Sequence, residues 1–138
     1  MAYCTEAELV ARFGDVEVAD LLDRDNSGTA DTNALASAQT DADALIDGYL
    51  AGRYSVPLAS APALIVGIAA NLVRYILWGN NAPEEIRKRY DDSIARLKDL
   101  SAGKLTIPAE TLAPLDDAGG VDYYADDRVF TSTTLAGF

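Results

Sequence analysis

One stretch of this 138-residue chain has the residue types and spacing of a metal site: Asp23-Arg24-Asp25-Asn26-Ser27-Gly28-Thr29-Ala30-Asp31. A calcium loop places oxygen ligands at positions 1, 3 and 5, glycine at 6, and a bidentate Glu at 12. Counted from Asp23, those positions hold Asp25, Ser27 and Gly28, with Asp31 at position 9. Position 12 is Ala34, and no acid follows until Asp41. The residue that closes the shell is missing. Asp, Asn, Ser and Gly are also what a tight inter-helix loop uses for left-handed geometry and side-chain-to-backbone bonds. The reading favoured here is a structural loop without a cofactor. The competing reading is weak divalent-cation binding by Asp23, Asp25, Ser27 and Asp31.

Other chemistry has less support. There is no histidine, which removes the commonest general base and metal ligand. The single cysteine, Cys4, has no Lys or Arg within several residues to hold a thiolate and reads as an inert apolar side chain. One cysteine forms no internal disulfide and suggests a reducing compartment. Serines and threonines have no base to activate them. The chain contains no G-x-S-x-G, no G-x-G-x-x-G and no phosphate-binding loop of the G-x-x-x-x-G-K type. No enzymatic constellation is expected.

Charge is unevenly spread. The net charge is −11. Residues 1–52 carry 11 acids and 2 bases, residues 53–104 carry 5 acids and 8 bases, and residues 105–138 carry 6 acids and 1 base. Such a surface disfavours holding nucleic acid, since phosphate contacts need Lys and Arg. At 49% hydrophobic the chain is rich in apolar residues for its charge, which suggests a subunit interface. The N-terminus shows no basic region running into an apolar one, so no signal peptide is expected.

Four segments must position whatever the chain does. Thr5 and Glu8 form a capping box before Leu9, Val10 and Phe13, and Gly14 stops that helix. Asp15 is expected to cap a second short helix with Val16, Val18, Leu21 and Leu22 as its apolar side. From Thr32, Leu35, Ala38, Ala42, Leu45, Ile46, Tyr49 and Leu50 recur at helical spacing and predict a helix ending near Arg53. Residues 62–78 are apolar nearly all round, with Pro62 in the first turn and Gly79 as the stop. Asn71 and Arg74 inside that run argue against a membrane span and for the centre of a bundle or an interface. Arg74 belongs either to an anion or partner site or, preferably, to a buried pair with an acid of the preceding helix such as Asp43 or Asp47. Pro83 opens the last helix, with Ile86, Tyr90, Ile94, Leu97 and Leu100 buried. Glu84–Lys88, Glu85–Arg89 and Asp92–Arg96 are its expected surface pairs.

The expected fold is all-α: a small helical bundle over residues 1–104, then an extended C-terminal arm over 105–138. That arm has no helical period, and Pro108, Pro114 and Gly119-Gly120 interrupt it. It nevertheless keeps Tyr123, Tyr124, Val129, Phe130, Leu135 and Phe138, too many large apolar groups for a solvated tail. Arg128 is its only base. Arg128, Val129, Phe130, Leu135 and Phe138 are its expected docking residues.

Several stretches carry a family resemblance in chain order: "MAYCTEAELVARFG", "DRDNSGTAD", "IDGYLAGRYSVPLASAP", "RYILWG", "APEEIRKRYDDSIARLKDLSAGK" and "DDRVFTSTTLAGF". Together they resemble the Mu-type phage neck proteins. "IDGYLAGRY…P" and the terminal "RVFT" and "GF" are the most specific parts. The resemblance implies a non-enzymatic head–tail connector that forms a ring of its own copies beneath the portal protein. It would join the capsid to a tail or neck component, with DNA sliding through the lumen unbound and no membrane involved. Its place would be the virion neck, and the host cytoplasm during assembly. The rival function is a free-standing calcium-binding helical protein using the Asp23–Asp31 loop.

Overall fold

The computed structural model describes residues 2–107. Among them are five α-helices, one 3-10 turn and no strand. The helices are α1 (Glu6–Phe13), α2 (Asp15–Leu22), α3 (Thr32–Leu50), α4 (Ala63–Trp78) and α5 (Glu84–Ala102). The protein is all-α, as its periodicity predicts.

α3, α4 and α5 pack on one another, while α1 and α2 pair and lie against α4. α4 is the axis of the core. Ile65, Ile68, Ala69, Ala70 and Leu72 on it are fully buried, and Ile46, Leu50, Leu97 and Leu100 close over it from α3 and α5. Each isoleucine and leucine among them contributes about 1.5–3 kcal/mol of burial. The segment Ala63–Asn81 is long and apolar enough, by length and composition, to cross a membrane. Here eight of its residues, from Ile65 to Leu77, are buried against the rest of the protein.

The helix ends follow from local chemistry. Thr5 Oγ1 accepts from the Glu8 amide at 3.4 Å, and Glu8 Oε2 accepts from the Thr5 amide at 2.8 Å, completing the capping box. Gly14 sits at φ +91° and joins α1 to α2 without an intervening loop, a conformation that side chains rarely adopt. Asp15 is therefore the first residue of α2 and not its cap. Its carboxylate accepts only from the neighbouring Val16 amide. Pro62 and Pro83 stand one place before their helices, as N-caps. α3 ends at Leu50, three residues before the expected Arg53, and its chain turns through Ala51–Arg53.

The exit from α5 is clamped. Gly103, at φ +82°, turns the chain, and the Lys104 amide reaches back to the Asp99 carbonyl at 2.9 Å. The Arg53 guanidinium lies directly over Gly103. Tyr54 is buried, and its hydroxyl accepts the Ile107 amide at 3.2 Å. Ile107 is buried too, so the packed body runs at least that far. Arg53 and Tyr54 belong to "IDGYLAGRY", the stretch most specific to the resemblance.

Candidate assembly surfaces

The acidic loop turns its oxygens onto its own backbone. Asp23 Oδ1 accepts from the Ser27 amide at 2.8 Å, and Asp23 Oδ2 from the Gly28 amide at 2.9 Å. Asp25 Oδ1 accepts from the Ser27 amide at 3.3 Å. Bonds from Ser27, hydroxyl and amide, hold the Asp25 carboxyl below its ordinary value. Asp31 is the N-cap of α3, its Oδ1 accepting from the Asn33 and Ala34 amides at 3.0 and 3.1 Å. Ala34, where a calcium loop carries its acid, thus sits in the first turn of a helix. Among the described residues no group of three or more acid, Cys or His side chains is arranged to hold a metal ion.

The second acidic place is used differently. Tyr3 is buried against α3, its amide donating to Asp43 Oδ1 at 3.1 Å and its hydroxyl to Asp47. The same hydroxyl accepts the Leu58 amide at 2.9 Å. Burial first, then the Asp47 bond, pushes the Tyr3 phenol up to about 12. Burial also raises the Asp43 carboxyl. The neighbouring Cys4 is buried, and its thiol is pushed up to about 12, chiefly by desolvation. It is the inert group its surroundings predict.

With Asp43 and Asp47 facing Tyr3, Arg74 pairs elsewhere. The expected pairing with α3 is corrected: the partner is Glu17 on α2. Arg74 Nε meets Glu17 Oε1 at 2.6 Å, and Nη2 meets Oε2 at 2.9 Å, a bidentate fork. The guanidinium also lies 4.2 Å from the Phe13 ring centre, and the Trp78 indole N–H reaches Glu17 Oε1 at 3.4 Å. Asn71, one turn before, donates to Ser93 on α5 at 3.1 Å. Sequence reasoning rightly demanded an acid for Arg74 but had no means of ranking the acids of residues 15–47.

Two surface features flank this cluster. The first is a groove of about 680 Å³ between the α1–α2 junction and the end of α4, lined by Phe13, Val16, Leu21 and Trp78 with Asp15 and Asp20 at its edge. Val16, expected on the buried side of α2, is 72% exposed here. The Gly14 turn sets α2 so that Val18 and Leu22 face the core. The second feature is a shallow basic cleft in which Arg12 of α1 meets Arg89 and Arg96 of α5 beside Asn71. Of the three expected surface pairs on α5, only Glu85–Arg89 forms, at 2.9 Å. Arg128, Val129, Phe130, Leu135 and Phe138 lie outside the described residues, as does the arm from Pro108 onward.

Comparison with known proteins places these surfaces in context. Residues 3–123 match the family described as Bacteriophage Mu, Gp36. The Mu-like prophage FluMu protein gp36 of Haemophilus influenzae is 32% identical over 100 residues, which cover 66% of this chain and 71% of that protein. Gene product J of Escherichia phage Mu is 30% identical over 135 residues, which cover 95% of each chain.

Proposed function

This chain belongs to the Bacteriophage Mu Gp36 family of phage proteins, and from that premise we propose that it is a structural, non-catalytic protein of the virion neck. In this reading it is a head–tail connector: copies form a ring beneath the portal, DNA passes through unbound, and the C-terminal arm engages a neighbour or a tail component.

The observation that carries the reading is the separation of charge on the folded body. Arg12, Arg89 and Arg96 are exposed and gather in the cleft between α1 and α5, while α5 as a whole is balanced, its other exposed bases interleaved with exposed Glu84, Glu85, Asp91 and Asp92. Asp15 and Asp20 on α2 and Asp25 in the loop after it are exposed, with Asp23 half-buried beside them. A closed ring uses two different faces of each subunit, one meeting the other of the next copy. Unlike charges on those faces set the register and speed the encounter. Acidic residues left facing the lumen would repel DNA and let it slide.

The test is a phage carrying an amber mutation in this gene. Filled heads and free tails that fail to join, with joining restored by the purified protein, are expected. Gold-labelled antibody should mark the neck. Normal joined particles lacking the protein would overturn the reading. Deleting residues 121–138 is expected to leave the helical signal of the body nearly unchanged while blocking joining.

A further inference from the structure

The groove beside Trp78 is an apolar surface that the described residues leave open. Val16, Leu21, Phe13 and the Trp78 ring make its walls. Its rim is acidic. Glu17 is engaged by Arg74, while Asp15 and Asp20 have no ion-pair partner among the described residues. A fitting occupant presents one or two large apolar side chains next to a cation. Within the 31 residues beyond Ile107 there is one base, Arg128, and it stands directly before Val129 and Phe130. Leu135 and Phe138 have no such neighbour.

We infer that the groove takes Val129 and Phe130 from the arm of a second copy, with Arg128 against Asp15 and Asp20. This rests on the connector reading and supplies its subunit contact.

Direction follows from the two ends of α4. The Asp31 amide bonds to the Leu22 carbonyl, and Arg24 bonds to the Leu77 carbonyl, so the start of α3 lies at the Trp78 end of α4. Ile107 leaves the body at Tyr54, beyond the opposite end of α3. The groove and the chain exit are therefore separated by about the length of α4, roughly 24 Å at 1.5 Å per residue. The residues between Ile107 and Arg128 extend to as much as about 65 Å, enough to cross to a neighbour. An exit at one end and a receptor at the other is a head-to-tail relation, and repeated around an axis it closes a ring.

Trp78 is the only tryptophan in the chain, so its emission reports on the groove in the full-length protein. The experiment is sedimentation velocity with tryptophan fluorescence across micromolar to millimolar concentration. It compares wild type, Val16→Glu and Phe130→Ser. Val16 is so exposed that Val16→Glu should fold, which circular dichroism checks. Wild type should associate with a blue shift of Trp78 emission. Each variant should weaken association by roughly ten- to a hundredfold, the effect of losing one buried apolar side chain.

The decisive sample is an equal mixture of the two variants. Val16→Glu keeps its arm and Phe130→Ser keeps its groove, so the mixture should form dimers and nothing larger. Three outcomes overturn the inference: a mixture that stays monomeric, variants that associate like wild type, or a wild type that stays monomeric with unchanged emission. The last two leave the connector reading standing, since the neck-labelling experiment decides that separately.

Discussion

Two ion pairs in this protein look alike on paper and differ in nearly everything that sets their worth. Arg89 and Glu85 are four residues apart on one helix, touch through a single 2.9 Å contact, and keep 49% and 74% of their side chains exposed. Arg74 and Glu17 are 57 residues apart, join two helices through a two-pronged fork, and keep only 13% and 27% exposed. Helix geometry hands the first pair its partner. The second exists only once α2 has been laid against α4, and it must answer for a cation on an apolar helix. Water competes for the first and is largely kept from the second.

The comparison predicts its largest effect at Glu17. Glu17→Ala strands Arg74 against Phe13 and leaves the Trp78 N–H without its acceptor. Breaking a fully buried pair costs about 3–5 kcal/mol, and the partial exposure of Glu17 reduces this to roughly 2–3 kcal/mol. Thermal unfolding should drop by about 10 °C. A double-mutant cycle with Arg74→Ala should give a coupling of more than about 1 kcal/mol. A coupling near zero would erase the distinction between the two pairs.

Next comes Tyr3, another contact made across a long stretch of chain. Tyr3→Phe leaves the buried Leu58 amide without an acceptor, a loss of about 1–2 kcal/mol at neutral pH. The substitution also changes the response to alkali. The folded phenol titrates near 12 against an ordinary 10. Between those values the unfolded chain gives up a proton that the folded chain keeps, so this stability is full below pH 10 and lost as pH rises toward 12. Cys4 acts in the same direction from its ordinary 9. Melting temperatures from pH 8 to 12 should fall in wild type from about pH 9. In Tyr3→Phe the part of that fall beginning near pH 10 should be smaller, with the rest kept by Tyr90, whose phenol burial also raises.

The contrast between near and distant partners also explains what could be read in advance. The Thr5–Glu8 box, the glycine stops after α1, α4 and α5, and the apolar stripes of α3 and α5 are local signals, and each stands where the sequence puts it. Periodicity tells which side of a helix is buried, but not which helix lies opposite. Asp43 and Asp47 were good partners for Arg74 by type and by proximity of their helix in the chain. They face Tyr3 instead, and no periodic pattern announces that a residue so near the terminus folds into the core. The groove depends on Val16 and Trp78, which no spacing rule connects. The one available hint was negative: Val16 is an apolar residue in the first turn of a very short helix, where burial is least assured.

Smaller effects belong to the acidic loop. Asp31→Ala removes the cap of α3 and should cost about 1 kcal/mol, a few degrees in thermal unfolding. Calcium or a chelator should move the melting temperature by less than about 2 °C, since Asp23 and Asp31 already hold backbone amides and position 12 is Ala34. A shift above about 5 °C, roughly 1 kcal/mol in a domain of this size, would restore the calcium reading.

The smallest effect is expected at Arg89. Its single contact is solvated, and the Glu-before-Arg order at i,i+4 is worth about 0.3–0.5 kcal/mol. Arg89 also shares the basic cleft with Arg12 and Arg96. Removing it relieves repulsion among three like charges, which offsets part of the lost pair. Arg89→Ala should therefore change stability by less than about 0.5 kcal/mol, with the remaining effect fading in high salt. Chemical denaturation at low and high ionic strength measures both. If Arg89→Ala costs as much as Glu17→Ala, solvent exposure does not rank these pairs, and the basic cleft has a structural role that its open geometry does not suggest.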